Sequence, residues 1–257
     1  MLEGSEIRLY SGKELDDIRK AASMAAEVRD IVADHVAPGV STLELTQLAH
    51  SLIKKMGAVP TFLGYSGFPA PICISVNYEV VHGTGKADKL LFNGDVVSID
   101  VGVTYNGFIG DTAKTVIAGE VLAKEDLFLI NTTEKALYAG IKFAKAGNCV
   151  NDISLAIGKI AKEASLSIVK EYVGHGCGKM LHEQPEIPNY DTNEPGVELL
   201  PGMVLCIEPV FYAGFGGVYT DYDGWTVIVK DGSNSAHFEH MVLVTENDPE
   251  ILSWQKM

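Results

Sequence analysis

The stretch Val96-Val97-Ser98-Ile99-Asp100-Val101-Gly102-Val103-Thr104-Tyr105-Asn106-Gly107-Phe108-Ile109-Gly110-Asp111 carries the decisive reading of this chain. Strand-forming residues flank Asn106-Gly107, a dipeptide suited to the left-handed residues of a two-residue turn, so the stretch predicts an antiparallel hairpin. If Tyr105 faces Phe108, then Gly102 faces Asp111, and Asp100 lies diagonally beside it on the same face. Ser98 and Gly102 share that face, while Val97, Ile99, Val101 and Val103 fill the other. A solvated edge would tolerate such an acidic pair. Asp100, however, sits inside a strongly apolar run, where an ionised carboxylate is costly unless paired or bound to a cation.

Working outward, the segment Gly94-Asp95-Val96-Val97-Ser98-Ile99-Asp100 is echoed further along the chain by Gly202-Met203-Val204-Leu205-Cys206-Ile207-Glu208, and Gly39 and Gly147 stand at that same separation. A second echo, His82-Gly83-Thr84-Gly85 against His175-Gly176-Cys177-Gly178, has a somewhat shorter separation. Ser11-Gly12-Lys13-Glu14 and Ser41-Thr42-Leu43-Glu44 both read as capping boxes opening helices. Leu15, Ile18, Ala22, Ala25, Val28, Val32 and Val36 keep helical spacing up to Pro38-Gly39, and Leu45, Leu48, Leu52 and Met56 do so up to Gly57. Strand patterns are predicted at 72–81, 96–104, 108–117, 203–211, 225–230 and 237–245, and helices at 124–146 and 151–165. The order helix, helix, strands occurs twice. It points to an α+β protein in which one domain, 1–257, is built from related halves at about 11–120 and 121–250, with equivalent acids meeting between them. Chance similarity between two β-rich segments is the alternative.

Composition narrows the function. The 257 residues are 47% hydrophobic, enough for a sizeable core, and 34 acidic against 20 basic side chains give a formal charge of −14. Such an excess of acid argues against DNA or an anionic membrane as the main partner, since both need clustered Lys and Arg. No run of eighteen apolar residues occurs, and Met1-Leu2-Glu3-Gly4-Ser5-Glu6 lacks the basic start and apolar core of a signal peptide, so a cytoplasmic protein is expected. Cys73, Cys149, Cys177 and Cys206 are spread singly and read as reduced thiols.

The acids of the apolar runs form a set. Glu208 ends Val204-Leu205-Cys206-Ile207-Glu208, and Glu239 lies in His237-Phe238-Glu239-His240-Met241-Val242-Leu243, with Met241 and Leu243 on its face. His175 and His182 belong to the glycine-rich Gly174-His175-Gly176-Cys177-Gly178-Lys179-Met180-Leu181-His182, which allows close approach of backbone and ligand. Four carboxylates offset two divalent cations. Two such ions about 3.5 to 4 Å apart, bridged by carboxylates, form the arrangement that binds and ionises a water for hydrolysis. Oxygen ligands with a nitrogen suit Co, Mn, Fe or Zn.

His82 in Val80-Val81-His82-Gly83, then Asp100, Asp111, His175, His182, Glu208 in Ile207-Glu208-Pro209 and Glu239 in Phe238-Glu239-His240 make an ordered set. In order and spacing it resembles the type I methionine aminopeptidases of the pita-bread fold, over nearly the whole chain. The resemblance implies two pseudo-symmetric halves around a central curved antiparallel sheet covered by helices. It implies Asp100, Asp111, His175, Glu208 and Glu239 as metal ligands, with Asp111 and Glu239 bridging. His82 and His182 become non-ligand catalytic residues contacting substrate, and Glu208 a proton relay, whereas spacing alone treats the two histidines near 180 as equal. Tyr65, Phe68, Cys73, Leu181 and Trp225 would line a methionine pocket, with Phe62 near its rim; ordinary core is the competing reading of these residues. A monovalent cation would sit near carbonyls of Asn77, Glu79 and Ser235. Leu181 stands where the family often has an aromatic residue, and Thr84-Gly85-Lys86 where an apolar residue followed by proline is common, so contacts there are expected to differ.

The implied activity is removal of initiator methionine from nascent polypeptides, with a small second residue preferred. A monomer and a transient ribosome contact are expected, although no basic tail marks a docking surface. Two alternatives share the fold: an X-Pro aminopeptidase-like hydrolase, whose relatives carry a large N-terminal domain, and a non-catalytic peptide-binding relative, which would have lost ligands. The type II enzymes carry a helical insert before the last glutamate, whereas only a short segment separates Glu208 from Glu239 here.

Overall fold

A computed structural model describes residues 6–254. Its first part contains helices α1 (Gly12–Asp34) and α2 (Thr42–Lys55), short strands β1 (Val59–Pro60) and β2 (Cys73–Val76), and the long strands β3 (Val96–Tyr105) and β4 (Phe108–Ile117). Then come α3 (Lys124–Ile141), α4 (Val150–Ala164), and strands β5 (Ser167–Ile168), β6 (Gly174–Gly176), β7 (Glu183–Ile187), β8 (Val204–Ile207) and β9 (Val210–Tyr212). The chain ends in β10 (Val218–Thr220), β11 (Val227–Val229), β12 (Ser235–His237), β13 (His240–Leu243) and β14 (Glu250–Ile251). Residues 1–5, most of the stretch read for a signal peptide, lie outside the described residues.

The β3–β4 hairpin has the register expected from its turn: Tyr105 pairs with Phe108, Gly102 with Asp111, and Asp100 with Ala113. β4 runs along one edge of β3, and β1 and β2 pair with the other. The valine face of β3 packs on α1 and α2 in an apolar core with Val28, Val32, Leu45, Ile53 and Ile74. A second sheet orders β14-β13-β8-β6-β7, and a third β12-β9-β5. α3 and α4 cover these through Leu137, Ile153 and Ile157 against Leu205, Ile207 and Phe211. The antiparallel sheet is therefore not one continuous ladder. An isolated bridge between Ala113 and Glu239 joins the first sheet to the strands around β12 and β13, reinforced by Thr112 Oγ1 donating to Glu239 O (2.8 Å) and Thr115 Oγ1 to His237 O (2.8 Å).

Several positions related by the longer repeat separation behave alike. Gly94 and Gly202 are both left-handed (φ 90° and 95°), as are Gly39 and Gly147 (88° and 84°). Ser41 caps α2 reciprocally with Glu44, and Cys149 caps α4 in the same way with Asp152. The other echo does not share this pattern of strand pairing. Ser98 pairs with Ser75, and Cys206, which stands at the longer separation from Ser98, pairs with His175, so in strand pairing the position that matches His175 is Ser75 and not His82.

Local expectations fail where a backbone turn intervenes. Ser11 precedes α1 but caps nothing, because Gly12 is left-handed (φ 53°) and the chain enters the helix without the geometry of a box. The strand expected over 72–81 stops at Val76, where Asn77 turns left-handed (φ 59°). The one expected over 203–211 breaks at Glu208-Pro209, since Pro209 has no N–H for a ladder. The one over 237–245 is interrupted at Phe238-Glu239, and the helix expected to 146 ends at Ile141.

Candidate active site

The sequence-predicted residues converge on one cavity of about 370 Å³. Asp100, Asp111, His175, Glu208 and Glu239 line it together with His82 and His182, and with Phe62, Tyr65, Phe68, Cys73, Leu181 and Trp225. Asp100 and Asp111 arrive on the non-valine face of the hairpin; His175 comes from β6, and Glu208 and Glu239 from the breaks after β8 and β12. Those breaks place carboxylates where no regular strand would hold them.

Burial makes the acids unusual. Asp111 and Glu239 are 4% and 3% exposed, and Asp100 Oδ1, Asp111 Oδ1 and Glu239 Oε1 are enclosed without a hydrogen-bond partner. Loss of water lifts the Asp100 carboxyl to about 7. It lifts Asp111 and Glu239 well above the usual range, with neighbouring carboxylates adding repulsion. Such oxygens need protons or a cation.

The histidine geometry fits a cation. His175 Nδ1–H donates to Gly176 O at 3.0 Å, which leaves the lone pair on Nε2, and Nε2 faces Glu208 Oε1 at 3.3 Å. Two lone pairs turned toward each other repel unless a positive charge lies nearby. Donor atoms of Asp111, His175, Cys206 and Glu239 all lie within 4.8 Å of one another. These donors and the three orphaned oxygens suit a divalent metal.

His82 and His182 flank this cluster. His82 is left-handed (φ 59°), and Gly83 follows because a Cβ there would run into the Ile74 carbonyl. Its ring packs against Tyr172 (5.2 Å) and Phe68 (6.2 Å), and burial lowers its pKa to about 4. His182 Nδ1 is 2.7 Å from the Tyr65 hydroxyl, its ring meets His175 edge-on at 4.5 Å, and burial, with the His175 ring alongside, lowers it to about 3. Both imidazoles are neutral near pH 7. Phe68 and Trp225 meet edge-on at 5.4 Å, and the Trp225 loop is tied by amides of Trp225 and Thr226 donating to Asp223 Oδ1 (2.9 and 2.8 Å).

Some site residues escape the sequence reading. Cys206, which the sequence offers only as a reduced thiol, has its sulfur within 4.8 Å of the donor atoms of Asp111, His175 and Glu239, and burial holds it protonated. His237 lines the cavity with Nε2 3.6 Å from Glu208 Oε2; its place two residues before Glu239 was the available signal. Glu183, 3% exposed, accepts from the amides of Lys179 (3.0 Å) and Met180 (2.8 Å) and from the Tyr10 hydroxyl, shaping the loop that carries His182. No sequence pattern signals a partner as remote as Tyr10 is from Glu183.

A model of Metallopeptidase family M24 matches residues 16–246. The chain is 45% identical over 255 residues to a methionine aminopeptidase of Aquifex aeolicus, covering 96% of this chain and 98% of that one. It is 44% identical over 241 residues to methionine aminopeptidase 1 of Bacillus subtilis, covering 94% and 96%. The crystal structure of methionine aminopeptidase from Thermotoga maritima superposes with a TM-score of 0.95 at 39% identity, over 97% of this chain and all of that one. Prolidase from Pyrococcus furiosus shares the fold at a TM-score of 0.76 and 24% identity, but this chain covers only 66% of it. The match spans the cavity and the acids and histidines that line it: the chain belongs to metallopeptidase family M24, among its methionine aminopeptidases, and has their pita-bread fold.

Proposed function

We propose that this protein hydrolyses the first peptide bond of nascent polypeptides to release N-terminal methionine, preferring a small second residue. The observation that carries the reading is the set of orphaned carboxylate oxygens beside His175, in a cavity also lined by two neutral histidines and an aromatic wall. Asp100, Asp111, His175, Glu208 and Glu239 would hold two divalent cations, Co, Mn, Fe or Zn, which supply an activated water and polarise the scissile carbonyl. Glu208 would relay protons, lying beside His175 at 3.3 Å. The Tyr65 hydroxyl lies 2.7 Å from His182 Nδ1, and in the tautomer in which it donates there, neutral His182 carries its proton on Nε2 and would donate it to a developing oxyanion. His82 would assist the leaving nitrogen. Tyr65, Phe68, Cys73, Leu181 and Trp225 supply the apolar wall suited to a methionine side chain.

The carbonyls of Asn77 and Glu79 converge on Ser235 Oγ (3.3 and 2.9 Å), where a monovalent cation would bind. We read the chain as one domain of two related halves, 11–120 and 121–250, acting as a cytoplasmic monomer with transient access to ribosome-borne N-termini. Among the described residues no helix is long and apolar enough to cross a membrane.

Purified protein supplied with Mn or Co is expected to cleave Met-Ala-Ser and to leave Ala-Pro peptides intact. Cleavage of Ala-Pro alone would favour the X-Pro reading. Metal binding without cleavage of either would favour a peptide-binding relative.

A further inference from the structure

His237 is 3% exposed, its Nε2 is enclosed with no hydrogen-bond partner within ordinary distance, and the atom it faces is Glu208 Oε2 at 3.6 Å. The other oxygen of that carboxylate, Oε1, is turned to His175 Nε2 at 3.3 Å. Glu208 thus stands between two imidazoles, one on each oxygen. The repeat explains why the second ring points there. In the first half Asp111 pairs with Gly102; Val210, the repeat equivalent of Gly102, pairs with His237, so His237 occupies the second-half counterpart of Asp111. Its backbone is anchored independently of its ring, by Thr115 Oγ1, which accepts from His237 N (2.9 Å) and donates to His237 O (2.8 Å).

We propose that His237 is a positioning residue for Glu208: its Nε2–H donates to Oε2, which holds the carboxylate in one orientation and leaves Oε1, beside His175, as the oxygen offered to a cation. The inference rests on the metal-ligand reading of Asp111, His175, Glu208 and Glu239. A carboxylate free to rotate about its last torsion would present either oxygen, and a cation would have to immobilise it on binding. A ring that fixes it beforehand removes that cost, as do the outer hydrogen bonds that orient ligands at metal centres generally.

The test compares His237→Ala, His237→Asn and His237→Gln with the unaltered protein, titrated with Co²⁺ by calorimetry and by visible absorption. Gln carries an N–H long enough to reach Oε2, whereas Asn fills the same place one methylene short, so it substitutes for Ala if H237A does not fold. Co²⁺ affinity is expected to fall about tenfold or more in H237A and H237N and to return to within about threefold in H237Q. The absorption bands of H237Q should match those of the unaltered protein, because no ligand atom is replaced. Unchanged affinity in H237A or H237N overturns the proposal, as does an H237Q as weak as H237N. Altered bands in H237Q overturn it in favour of direct ligation by the imidazole. If the unaltered protein binds no Co²⁺, the ligand reading itself fails and this inference with it; if it binds while the variants match it, only this inference fails.

Discussion

At the scale of single residues, the site is a contest between burial and charge. Asp111 and Glu239 lie almost wholly out of water with oxygens that have no partner, which is tolerable only when a proton or a cation replaces the lost solvation. His82 stands apart from that contest, since its ring packs on Phe68 and Tyr172 and its charge is already suppressed by burial. His82→Ala should therefore retain the metal content of the unaltered protein while peptide cleavage falls about 10²-fold, read by metal analysis and turnover on the same preparation. Parallel loss of metal and rate would make it a ligand. The neighbouring Gly83 has no room for a methyl group against the Ile74 carbonyl. Gly83→Ala should cost about 1–3 kcal/mol in urea unfolding and should slow catalysis by displacing His82.

At the scale of elements, the two helix starts that look alike in sequence differ in structure. Ser41 Oγ accepts from the Glu44 amide (3.2 Å), and Glu44 Oε2 accepts from the Ser41 amide (2.8 Å), completing a box. Ser11 makes no such bond because Gly12 enters α1 with φ 53°. Ser41→Ala is accordingly expected to lower unfolding free energy by about 1 kcal/mol, whereas Ser11→Ala should change it by less than about 0.5 kcal/mol. Equal effects would show that the first box forms in solution. The strands carry a parallel lesson. The Asn106-Gly107 turn is a local signal, and the hairpin register followed from it without any distant contact. The breaks at Glu208-Pro209 and Phe238-Glu239 are set by pairing with other strands, and periodicity alone ran through them.

At the scale of the whole molecule, the metal-free protein carries opposed titrations. Burial lifts Asp100 to about 7 and Asp111 and Glu239 well above the usual carboxylate range, while it depresses His82 to about 4 and His182 and His240 to about 3. Between about pH 4 and 6.5 the sets oppose, because unfolding releases carboxyl protons but takes up imidazole protons. Above about pH 6.5 the unfolded imidazoles are neutral, while the enclosed carboxyls, and His237, which despite its burial Glu208 and Asp100 hold above its ordinary value, keep protons that the unfolded chain lacks. Stability of the metal-free form should then fall as pH rises, by about 1.4 kcal/mol per pH unit for each carboxyl still protonated. Divalent metal takes the place of those protons, so the loaded protein should lack the decline and gain about 2.7 kcal/mol at a hundredfold excess over Kd. Urea titrations at about pH 6.5 and about pH 8.5, with and without chelator, would show it; superimposable curves would count against a loaded site. The formal charge of −14 thus includes four carboxylates committed to this interior cluster. By itself the sequence determined the helix, helix, strand order, the hairpin and its acidic face, and the ordered set from His82 to Glu239, because local periodicity, turn chemistry and spacing are written along the chain. Only the tertiary structure decided that Ser75 and not His82 matches His175 in strand pairing, that Glu183 and Tyr10 shape the His182 loop, and that His237 faces Glu208. Those relations depend on strand pairing and burial between segments far apart in the chain, which no local pattern records.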